Sequence, residues 1–413
     1  MKITSTTSAY AFGLLMFASV SAGESIQVPV SPADALAYHA ASNWFWGLSQ
    51  LASLALPLAL LVTGWGEHLY QFIARIARQR SVVSLASFVA IFFLLDRLIR
   101  LPISYLWDRA YDQTTGSQGQ AFLPWVANQL SGWILPIAGL TLLAVLASIL
   151  IRKSPSRWWL WASAVAATVV LIFLLAQPFT QNHKPLGGSP LEQRIAALAA
   201  RAGIPQNAIG IEHCDPASSC PPGRVIGLGP TRLMLLNDAL LAQNPESWTL
   251  QTVAHEAKHF AKDDNLKALF LLSGLAFAGL WLMSFIGRAV VARRSGMGSV
   301  GACATSVLLA ILLFHTLHLV ALPPVNAFRQ HVELEADRYA LELTRDNLTQ
   351  AQMLASFTIG KGRVSEWSPF FKLFRATHPS DASRIQLSNS YRPWQEGKPL
   401  RYADDFAPPN DKQ

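Results

Sequence analysis

Six apolar stretches, each close to twenty residues long, constrain the fold of this chain more than any other feature. A helix rises about 1.5 Å per residue, so about twenty residues cross the apolar layer of a bilayer, which is about 30 Å thick. Charged residues make up only 14% of the 413 residues, whereas a soluble domain carries about 25%. We therefore predict a mostly α, polytopic α-helical membrane protein. Its spans would lie at roughly 44–63, 82–101, 131–151, 157–177, 266–287 and 300–321.

The first residues form a separate feature. Lys2 precedes a short apolar stretch from Tyr10 to Val20, and small residues follow it at Ser21-Ala22-Gly23. This order resembles a secretory signal peptide with a small-residue cleavage site. We expect residues 1–22 to be removed, and an uncleaved first span is the alternative.

Basic residues indicate the orientation of the chain. The net charge is +8, but the basic residues cluster in short loops between spans instead of a stripe on a soluble face, so we expect no nucleic-acid partner. Loops rich in Lys and Arg stay in the cytoplasm. The segments 178–265 and 322–413 then lie on the extracytoplasmic side. The clusters are Arg75, Arg78 and Arg80; Arg152, Lys153 and Arg157; and Arg288, Arg293 and Arg294.

The first of these segments contains a metal-binding pattern. His255, Glu256 and His259 form an HExxH sequence, and Asn244-Pro245-Glu246 upstream is typical of a helix start. Residues four apart share a helix face, so the two imidazoles could hold one zinc ion while Glu256 deprotonates the attacking water. The alternative is a buried helix with two ordinary histidines.

A catalytic zinc site needs a third protein ligand. The stretch 326–344 has helical periodicity and carries Glu333 and Asp337 one turn apart on one face. We predict Glu333 as the third ligand and Asp337 as a carboxylate that orients a ligating histidine. Glu335 and Glu342 fit a solvated helix face.

Cysteine usage agrees with an extracytoplasmic segment. Cys214 and Cys220 enclose a short loop, and a local disulfide there suits an oxidising compartment. His213 beside them makes zinc binding by cysteine and histidine the competing interpretation. Cys303 lies in the last span and fits an inert apolar residue.

A small sheet is also predicted before the HExxH helix. Its second strand could hold an extended substrate by main-chain hydrogen bonds, with Val225, Gly227 and Gly229 permitting close approach. A plain hairpin with turn glycines is the alternative. The three predicted strands are 208–212, 224–228 and 232–236.

Taken together, these motifs resemble the integral-membrane CAAX-prenyl-protease-like and HtpX-like zinc metalloendopeptidases of peptidase family M48. The resemblance covers most of the chain from about residue 40. It is carried by Ala254-His255-Glu256 with His259, Val225-x-Gly227-x-Gly229, Asn326-x-Phe328, Glu333-x-x-Ala336-Asp337, His378-Pro379 with Arg384, and Leu101-Pro102-x-x-Tyr105.

The resemblance implies roles for these residues. The ligands named above would hold one Zn²⁺ ion per chain, and Glu256 would act as general base and then as proton donor to the leaving amine. His378 would hold the substrate or stabilise the developing oxyanion, with Arg384 in support. Lys258 stands where the family often has glycine, which bears on specificity.

The resemblance also implies a zincin-like α+β catalytic domain that a transmembrane hairpin divides. The predicted organisation is a signal peptide at 1–22, an N-terminal membrane domain with four spans at 23–177, the two parts of the metallopeptidase domain at 178–265 and 322–402, the transmembrane hairpin at 266–321, and a flexible tail at 403–413.

We therefore predict a zinc endopeptidase of the bacterial inner membrane that hydrolyses unfolded or small polypeptides on the extracytoplasmic side. Its partners would be the polypeptide substrate and the lipid bilayer, and the sequence does not indicate the oligomeric state. One rival is a catalytically silent scaffold or chaperone with structural zinc, which would not need the glutamate of HExxH. Another is a transporter, with weak support from Pro57, Pro102 and Pro136. His315 and His318 could line an enclosed chamber or bond to neighbouring helices.

Overall fold

The computed structural model describes residues 25–115, 119–215, 220–293, 299–361 and 363–406. The signal peptide predicted for residues 1–22 lies outside these ranges. The chain divides into two compact units. The helical unit comprises Ala33–Ala167 and Leu272–Pro323, and the sheet-containing unit comprises Thr168–Leu271, the chain from Pro324 onwards and the segment that ends at Pro32.

Helices and four short strands make up the described chain. In chain order they are α1 (Ala33–Thr63), α2 (Trp65–Ile76), α3 (Ser81–Thr115), α4 (Phe122–Lys153), α5 (Trp158–Thr180), β1 (His183–Pro185), α6 (Pro190–Arg201), β2 (Ile209–Glu212), β3 (Gly223–Ile226), β4 (Leu233–Asn237), α7 (Asp238–Gln243), α8 (Glu246–Ala261), α9 (Asp264–Arg293), α10 (Ser299–Thr344), α11 (Asn347–Lys361), α12 (Pro369–Phe374) and α13 (Asp381–Ser390).

Within the described residues, six helices are long and apolar enough to cross a membrane, namely α1, α3, α4, α5, α9 and α10. The prediction of six spans is confirmed. Large apolar side chains such as Leu142 and Phe173 remain exposed on these helices. Such exposure would be costly in water and is expected for side chains that face lipid.

Helix α2 is a short element of the helical unit that the sequence did not predict. Gly64 separates it from α1 because its φ of 76° lies in the left-handed region that glycine adopts readily. Tyr70 and Ile73 on α2 are buried, and they pack with Phe88 of α3 and Leu308 of α10. With 12 residues, α2 is too short to register as a span, although its apolar face contributes to the core of this unit.

The sheet has the strand order β1-β2-β4-β3. Strands β2 and β4 pair in parallel, whereas β1 and β3 pair antiparallel at the two edges. Met234, Leu235 and Leu236 of β4 are fully buried, as expected for a central strand. Strand β3 is therefore an edge strand, which leaves one side of its backbone open to a partner.

One core joins the sheet to helices α6, α7 and α8 and to the part of α10 that belongs to the same unit. Ile195 of α6, Met234 of β4, Val253 of α8 and Tyr339 of α10 belong to a single buried cluster. Helix α10 runs without interruption through Pro323 and Pro324, where the sequence analysis had ended one span and begun a separate helix. The apolar periodicity on both sides of the prolines continues, so the last turn of the span leads directly into the segment that carries Glu333.

The prediction that Glu335 and Glu342 face solvent is wrong, because both are buried. The chain after α13 folds back over α10. Glu342 accepts hydrogen bonds from the backbone N–H groups of Arg401 and Tyr402, each at 2.9 Å, and Glu335 pairs with Arg401 at 2.9 Å. Part of the tail that was expected to be flexible is also ordered, since a 3-10 turn spans Ala403–Asp405.

Candidate metal and catalytic centre

Helix α8 presents the HExxH residues because its opposite side is anchored in the core. Val253, Ala254 and Ala257 are completely buried, which fixes the rotation of the helix. His255 and His259, four residues apart, then project from the same face. The helix begins after Asn244-Pro245, as the sequence predicts, with Glu246 in its first turn.

Three candidate ligand atoms converge at this face. His255 Nε2 lies 3.4 Å from His259 Nε2 and 3.2 Å from Glu333 Oε2, and His259 Nε2 lies 3.9 Å from Glu333 Oε1. Ligands about 2.0–2.1 Å from a tetrahedral ion lie about 3.3 Å apart, so these separations suit zinc. Two imidazole nitrogens and one carboxylate oxygen are also the donor set of a catalytic zinc site with one open position.

The remaining ring nitrogen of each histidine is held by a carboxylate. His255 Nδ1 lies 3.0 Å from Asp337 Oδ1, and His259 Nδ1 lies 2.9 Å from Asp264 Oδ2. When Nδ1 donates to these carboxylates, each Nε2 is left with a lone pair directed towards the third ligand. The sequence predicts Asp337 in this role but gives no prediction for Asp264.

Arg384 completes the support of Asp337. Its guanidinium donates two hydrogen bonds to the carboxylate, Nε to Oδ2 at 2.7 Å and Nη2 to Oδ1 at 2.6 Å. The side chain of Asp337 is 1% exposed and that of Arg384 is 12% exposed, so solvent screens this pair little. Arg384 thus contacts the carboxylate that orients His255, and the pairing raises the already high pKa of the guanidinium although burial opposes it.

Lys258 supports Asp264 in a similar way. Its Nζ donates to Asp264 Oδ2 and to the carbonyl oxygen of Val332, each at 2.8 Å. The Lys258 side chain is almost fully buried, and burial lowers its pKa. Lys267 Nζ approaches the other carboxylate oxygen at 2.9 Å. Lys258 is therefore connected, through Asp264, to the candidate ligand His259.

Protons compete with a metal for this centre. Burial opposes protonation of His255, but hydrogen bonds to Asp337 and Glu333 outweigh burial and raise the pKa of His255 to about 10. Zinc binds the neutral imidazole, so it must displace this proton. The zinc affinity of the centre should consequently depend on pH.

Glu256 is buried beside the centre and next to the edge strand. Burial raises the pKa of its carboxyl above the ordinary value. A Cβ atom added at Gly223, the first residue of β3, would lie 2.8 Å from Glu256 Cγ. The side chain of Glu256 thus lies against the first residue of β3 and follows the candidate ligand His255 in sequence, and a raised pKa suits a group that accepts and then returns a proton near neutral pH.

His378 approaches the centre from the loop between α12 and α13. Its Nε2 lies 3.6 Å from Glu333 Oε1, and its Nδ1 lies 2.9 Å from Thr377 Oγ1. Its side chain is 56% exposed, which leaves it accessible to a substrate. Partial burial lowers the pKa of His378, although the charge of Glu333 works in the opposite direction. The sequence offered no signal for this position beyond the family resemblance.

The three candidate substrate residues do not all lie in the strand. Val225 is in β3, but Gly227 and Gly229 come after it and have φ angles of 82° and 51°. A Cβ atom at Gly227 would lie 2.4 Å from the carbonyl oxygen of Thr231, so only glycine fits this turn. Asn265 Nδ2 donates to the Val225 carbonyl oxygen at 3.2 Å. The glycines therefore shape the turn after β3, which favours the alternative of turn glycines for them.

The cysteines lie outside this centre. The sulfur atoms of Cys214 and Cys220 are 2.19 Å apart, a disulfide. His213 Nδ1 lies 2.6 Å from Asp238 Oδ2 and its side chain is largely exposed. This geometry leaves the two sulfurs bonded to each other, so they offer no thiolates to a zinc ion. His315 and His318, whose ring centroids are 6.4 Å apart, belong to the helical unit.

Two family models match the chain. One is described as Peptidase family M48 and matches residues 188–390, which include every candidate ligand. The other is described as CAAX prenyl protease N-terminal, five membrane helices, and matches residues 32–181. The two matches together account for most of the described chain.

Individual proteins are similar over long stretches. An "Uncharacterized metalloprotease YhfN" of Bacillus subtilis is 25% identical over 378 residues, which cover 88% of this chain and 86% of that protein. A "CAAX prenyl protease 1 homolog" of Dictyostelium discoideum is 23% identical and covers 70% of this chain and 68% of its own length. The crystal structure of Ste24p from S. mikatae superimposes with a TM-score of 0.68 at 18% identity, covering 95% of this chain and all of that one, which supports a common fold.

Proposed function

The chain belongs to the membrane metalloproteases of peptidase family M48, and we propose that it is a zinc-dependent endopeptidase that cleaves unfolded or small polypeptides. The observation that carries this proposal is the convergence of His255 Nε2, His259 Nε2 and Glu333 at separations of 3.2–3.9 Å. Both histidines have their other nitrogen held by a carboxylate. Because the Nδ1 atom of each ring is occupied in this way, both Nε2 atoms are available to bind the same metal ion.

His255, His259 and Glu333 would hold the zinc ion. When bound, zinc would act as a Lewis acid that polarises the scissile carbonyl and makes water more acidic. The protein's task is to keep the ligands in place while the fourth position stays open. Asp337 with Arg384, and Asp264 with Lys258, perform that task by fixing the two rings.

Glu256 would move the proton. Its carboxylate accepts a proton from the attacking water, whose oxygen forms a bond to the carbonyl carbon of the substrate. When the C–N bond breaks, Glu256 returns the proton to the nitrogen of the leaving amine. Burial, which raises the pKa of Glu256, makes both the uptake and the return of the proton feasible near neutral pH.

His378 would stabilise the transition state. Its imidazole Nε2 can donate a hydrogen bond to the oxyanion that forms at the carbonyl oxygen. Its distance of 3.6 Å from the Glu333 carboxylate and its exposed side chain support this role. We assign Arg384 a positioning role, because its guanidinium binds Asp337 and thereby acts through His255.

The substrate would bind as an extended strand along β3. The strand lies at the edge of the sheet and its first residue, Gly223, contacts the proposed base. Backbone hydrogen bonds to residues 223–225 would present a substrate peptide bond to Glu256. These bonds do not depend on the side chains of the substrate. This mode suits unfolded or short polypeptides, because a folded substrate cannot supply a free strand.

We place this activity in the bacterial inner membrane with the centre outside the cytoplasm. The basic loops between spans and the segment that resembles a signal peptide support that orientation. The Cys214–Cys220 disulfide agrees with an oxidising compartment. A prenylated cytosolic substrate would not reach such a site.

Cleavage and metal content, measured on the same samples, test the proposal. We would compare the wild type, Glu256→Gln and the control Glu246→Gln, which changes an exposed residue of the same helix. The expected result is about one zinc per chain in all three proteins, with cleavage of unfolded casein in the wild type and the control alone. Zinc without cleavage in the wild type would favour the rival scaffold with structural zinc. A wild type without zinc would contradict the ligand assignment.

A further inference from the structure

The segment Ile26–Ser31 packs on the unit that carries the catalytic centre, and we propose that it is a strap that positions His378 for the reaction. The sequence analysis assigned this segment to the N-terminal membrane domain, but it belongs to the sheet-containing unit. The inference rests on the proposed role of His378 as the group that stabilises the oxyanion. Ser31 and Ser365 are the positioning residues.

Ser365 is the junction between the strap and the catalytic loop. Its backbone N–H donates to Ser31 Oγ at 2.9 Å, and its hydroxyl donates to the carbonyl oxygen of Pro29 at 2.7 Å. Its carbonyl oxygen accepts the backbone N–H of Ala382, in the first turn of α13, at 2.9 Å. Ser365 is 5% exposed. All three polar groups of this residue therefore link the strap to the helix that starts just after His378.

The neighbours of Ser365 continue the link to His378 itself. Glu366 Oε1 accepts the hydroxyl of Ser380 at 3.1 Å, and Trp367 Nε1 donates to the His378 carbonyl oxygen at 3.2 Å. Ser380 also caps α13, because its hydroxyl accepts the backbone N–H of Ser383. The backbone of His378 and the residue two positions after it are thus bonded to the loop that the strap holds.

This support matters because neither loop has regular structure. Residues 363–368 and 375–380 lie outside helices and strands, and helical hydrogen bonds reach only their ends, for example at Arg375 and Ser380. The His378 side chain is largely exposed. Its ring contacts Thr377 Oγ1 at 2.9 Å, and Gln330 Nε2 holds the Ala376 carbonyl oxygen at 2.9 Å on the N-terminal side. On the C-terminal side, the backbone of His378 is held through Trp367 and through the Glu366–Ser380 contact, both of which belong to the loop bonded to Ser31. Loss of those bonds allows other loop conformations, in which the imidazole misses the oxyanion.

The strap is also anchored at its other end. The Ile26 backbone N–H donates to Asn389 Oδ1 at 3.1 Å, and Asn389 Nδ2 donates to the Ile26 carbonyl oxygen at 2.8 Å. The Ile26 side chain is buried against Leu354 of α11 and Ile385 of α13. Val30 between the two anchors is 92% exposed. The strap therefore holds α13 at specific points rather than by filling a core along its length.

A double-mutant cycle in the full-length, zinc-loaded protein tests the strap. The variants are Ser31→Ala, Ser31→Thr, His378→Gln and the combination of Ser31→Ala with His378→Gln. Ser25→Ala is the matched control because Ser25 is an exposed serine directly before the strap. The measurements are kcat and KM on a fluorogenic peptide, zinc content and melting temperature. Zinc content and melting temperature report whether each variant folds.

Ser31→Ala removes the contacts of Ser31 Oγ with the backbone N–H and the hydroxyl of Ser365. We expect it to lower kcat about fivefold, with KM and zinc content unchanged. Ser31→Thr keeps the hydroxyl and should retain the wild-type kcat, as should Ser25→Ala. In the His378→Gln protein, Ser31→Ala should have no further effect, because the group it positions is gone.

Two results would overturn the inference. One is a fivefold loss that persists in the His378→Gln protein, since the strap would then act on something other than His378. The other is a kcat for Ser31→Ala equal to that of Ser25→Ala. Failure of the proposed function gives a different pattern: the wild type would not cleave at all, or His378→Gln would keep the wild-type kcat.

Discussion

Asp264→Asn should weaken zinc binding even though Asp264 is not a ligand. The Asp264 carboxylate accepts from His259 Nδ1 at 2.9 Å and from Lys258 Nζ at 2.8 Å. Removal of a carboxylate that orients a ligating histidine costs about 10–100-fold in metal affinity, or about 1.4–2.7 kcal/mol. The same change leaves the Lys258 ammonium, whose side chain is 4% exposed, without its counter-charge.

The stability cost follows from that buried ammonium. Breaking a buried ion pair costs about 3–5 kcal/mol. We expect about 3 kcal/mol here, because the amide oxygen of the new asparagine can still accept a hydrogen bond from Lys258. Lys267 adds little, since half of its side chain is exposed.

A second variant separates the two effects. Lys258→Met together with Asp264→Asn removes both charges, so most of the stability should return while zinc binding stays weak. The assays are the melting temperature of the metal-free protein and competition with a chelator of known zinc affinity. If Asp264→Asn binds zinc within twofold of the wild type, Asp264 does not support His259. If the double variant regains wild-type affinity, the loss in the single variant came from misfolding.

Three further predictions concern the same centre. Arg384→Ala should destabilise the metal-free protein by about 3 kcal/mol, because it leaves the buried Asp337 carboxylate with His255 as its remaining ionic partner; thermal melts should show Arg384→Lys to be milder. Gly223→Ala should lower kcat while zinc content stays at the wild-type level, because its Cβ would lie 2.8 Å from Glu256 Cγ; equal kcat would place the base elsewhere. The apparent zinc affinity should rise by up to about tenfold per pH unit above pH 7, because the proton on His255, whose pKa is about 10, must leave. Because the pKa of His255 is raised in the folded state, its protonation also stabilises the metal-free fold. This contribution is complete below pH 6.5 and is lost as the pH rises through about 10. A zinc affinity that stays constant from pH 7 to 9 would contradict both statements.

The sequence predicts the membrane helices well because the pattern that identifies them lies in consecutive residues. A run of about twenty apolar residues can be recognised without knowing which residues pack against it, and each of the six runs lies within a helix of the structure to within one residue. The sequence did not predict helix α2, because this helix is shorter than a membrane span and buries only one face. The continuity of α10 through Pro323-Pro324 was also missed, since proline usually ends a helix.

The catalytic centre is only partly visible in sequence. His255 and His259 are linked by helical spacing, and Glu333 follows from the need for a third ligand. Asp264 begins the helix directly after the HExxH helix, so its position in the sequence is a usable signal. It is not a candidate ligand, however, because it bonds the second ring nitrogen of His259, and the HExxH pattern does not indicate such a partner. The strap and the buried Glu342 depend on contacts between residues far apart in the chain, which no local pattern encodes.

X-ray absorption at the zinc K-edge of the purified, full-length protein tests the central claim most directly. The claim is that His255, His259 and Glu333 hold one zinc ion with a position open to solvent. The predicted spectrum has four nitrogen or oxygen neighbours at about 2.0–2.1 Å, with two imidazole rings and no sulfur. A sulfur shell at about 2.3 Å would assign the metal to the cysteines and contradict the account.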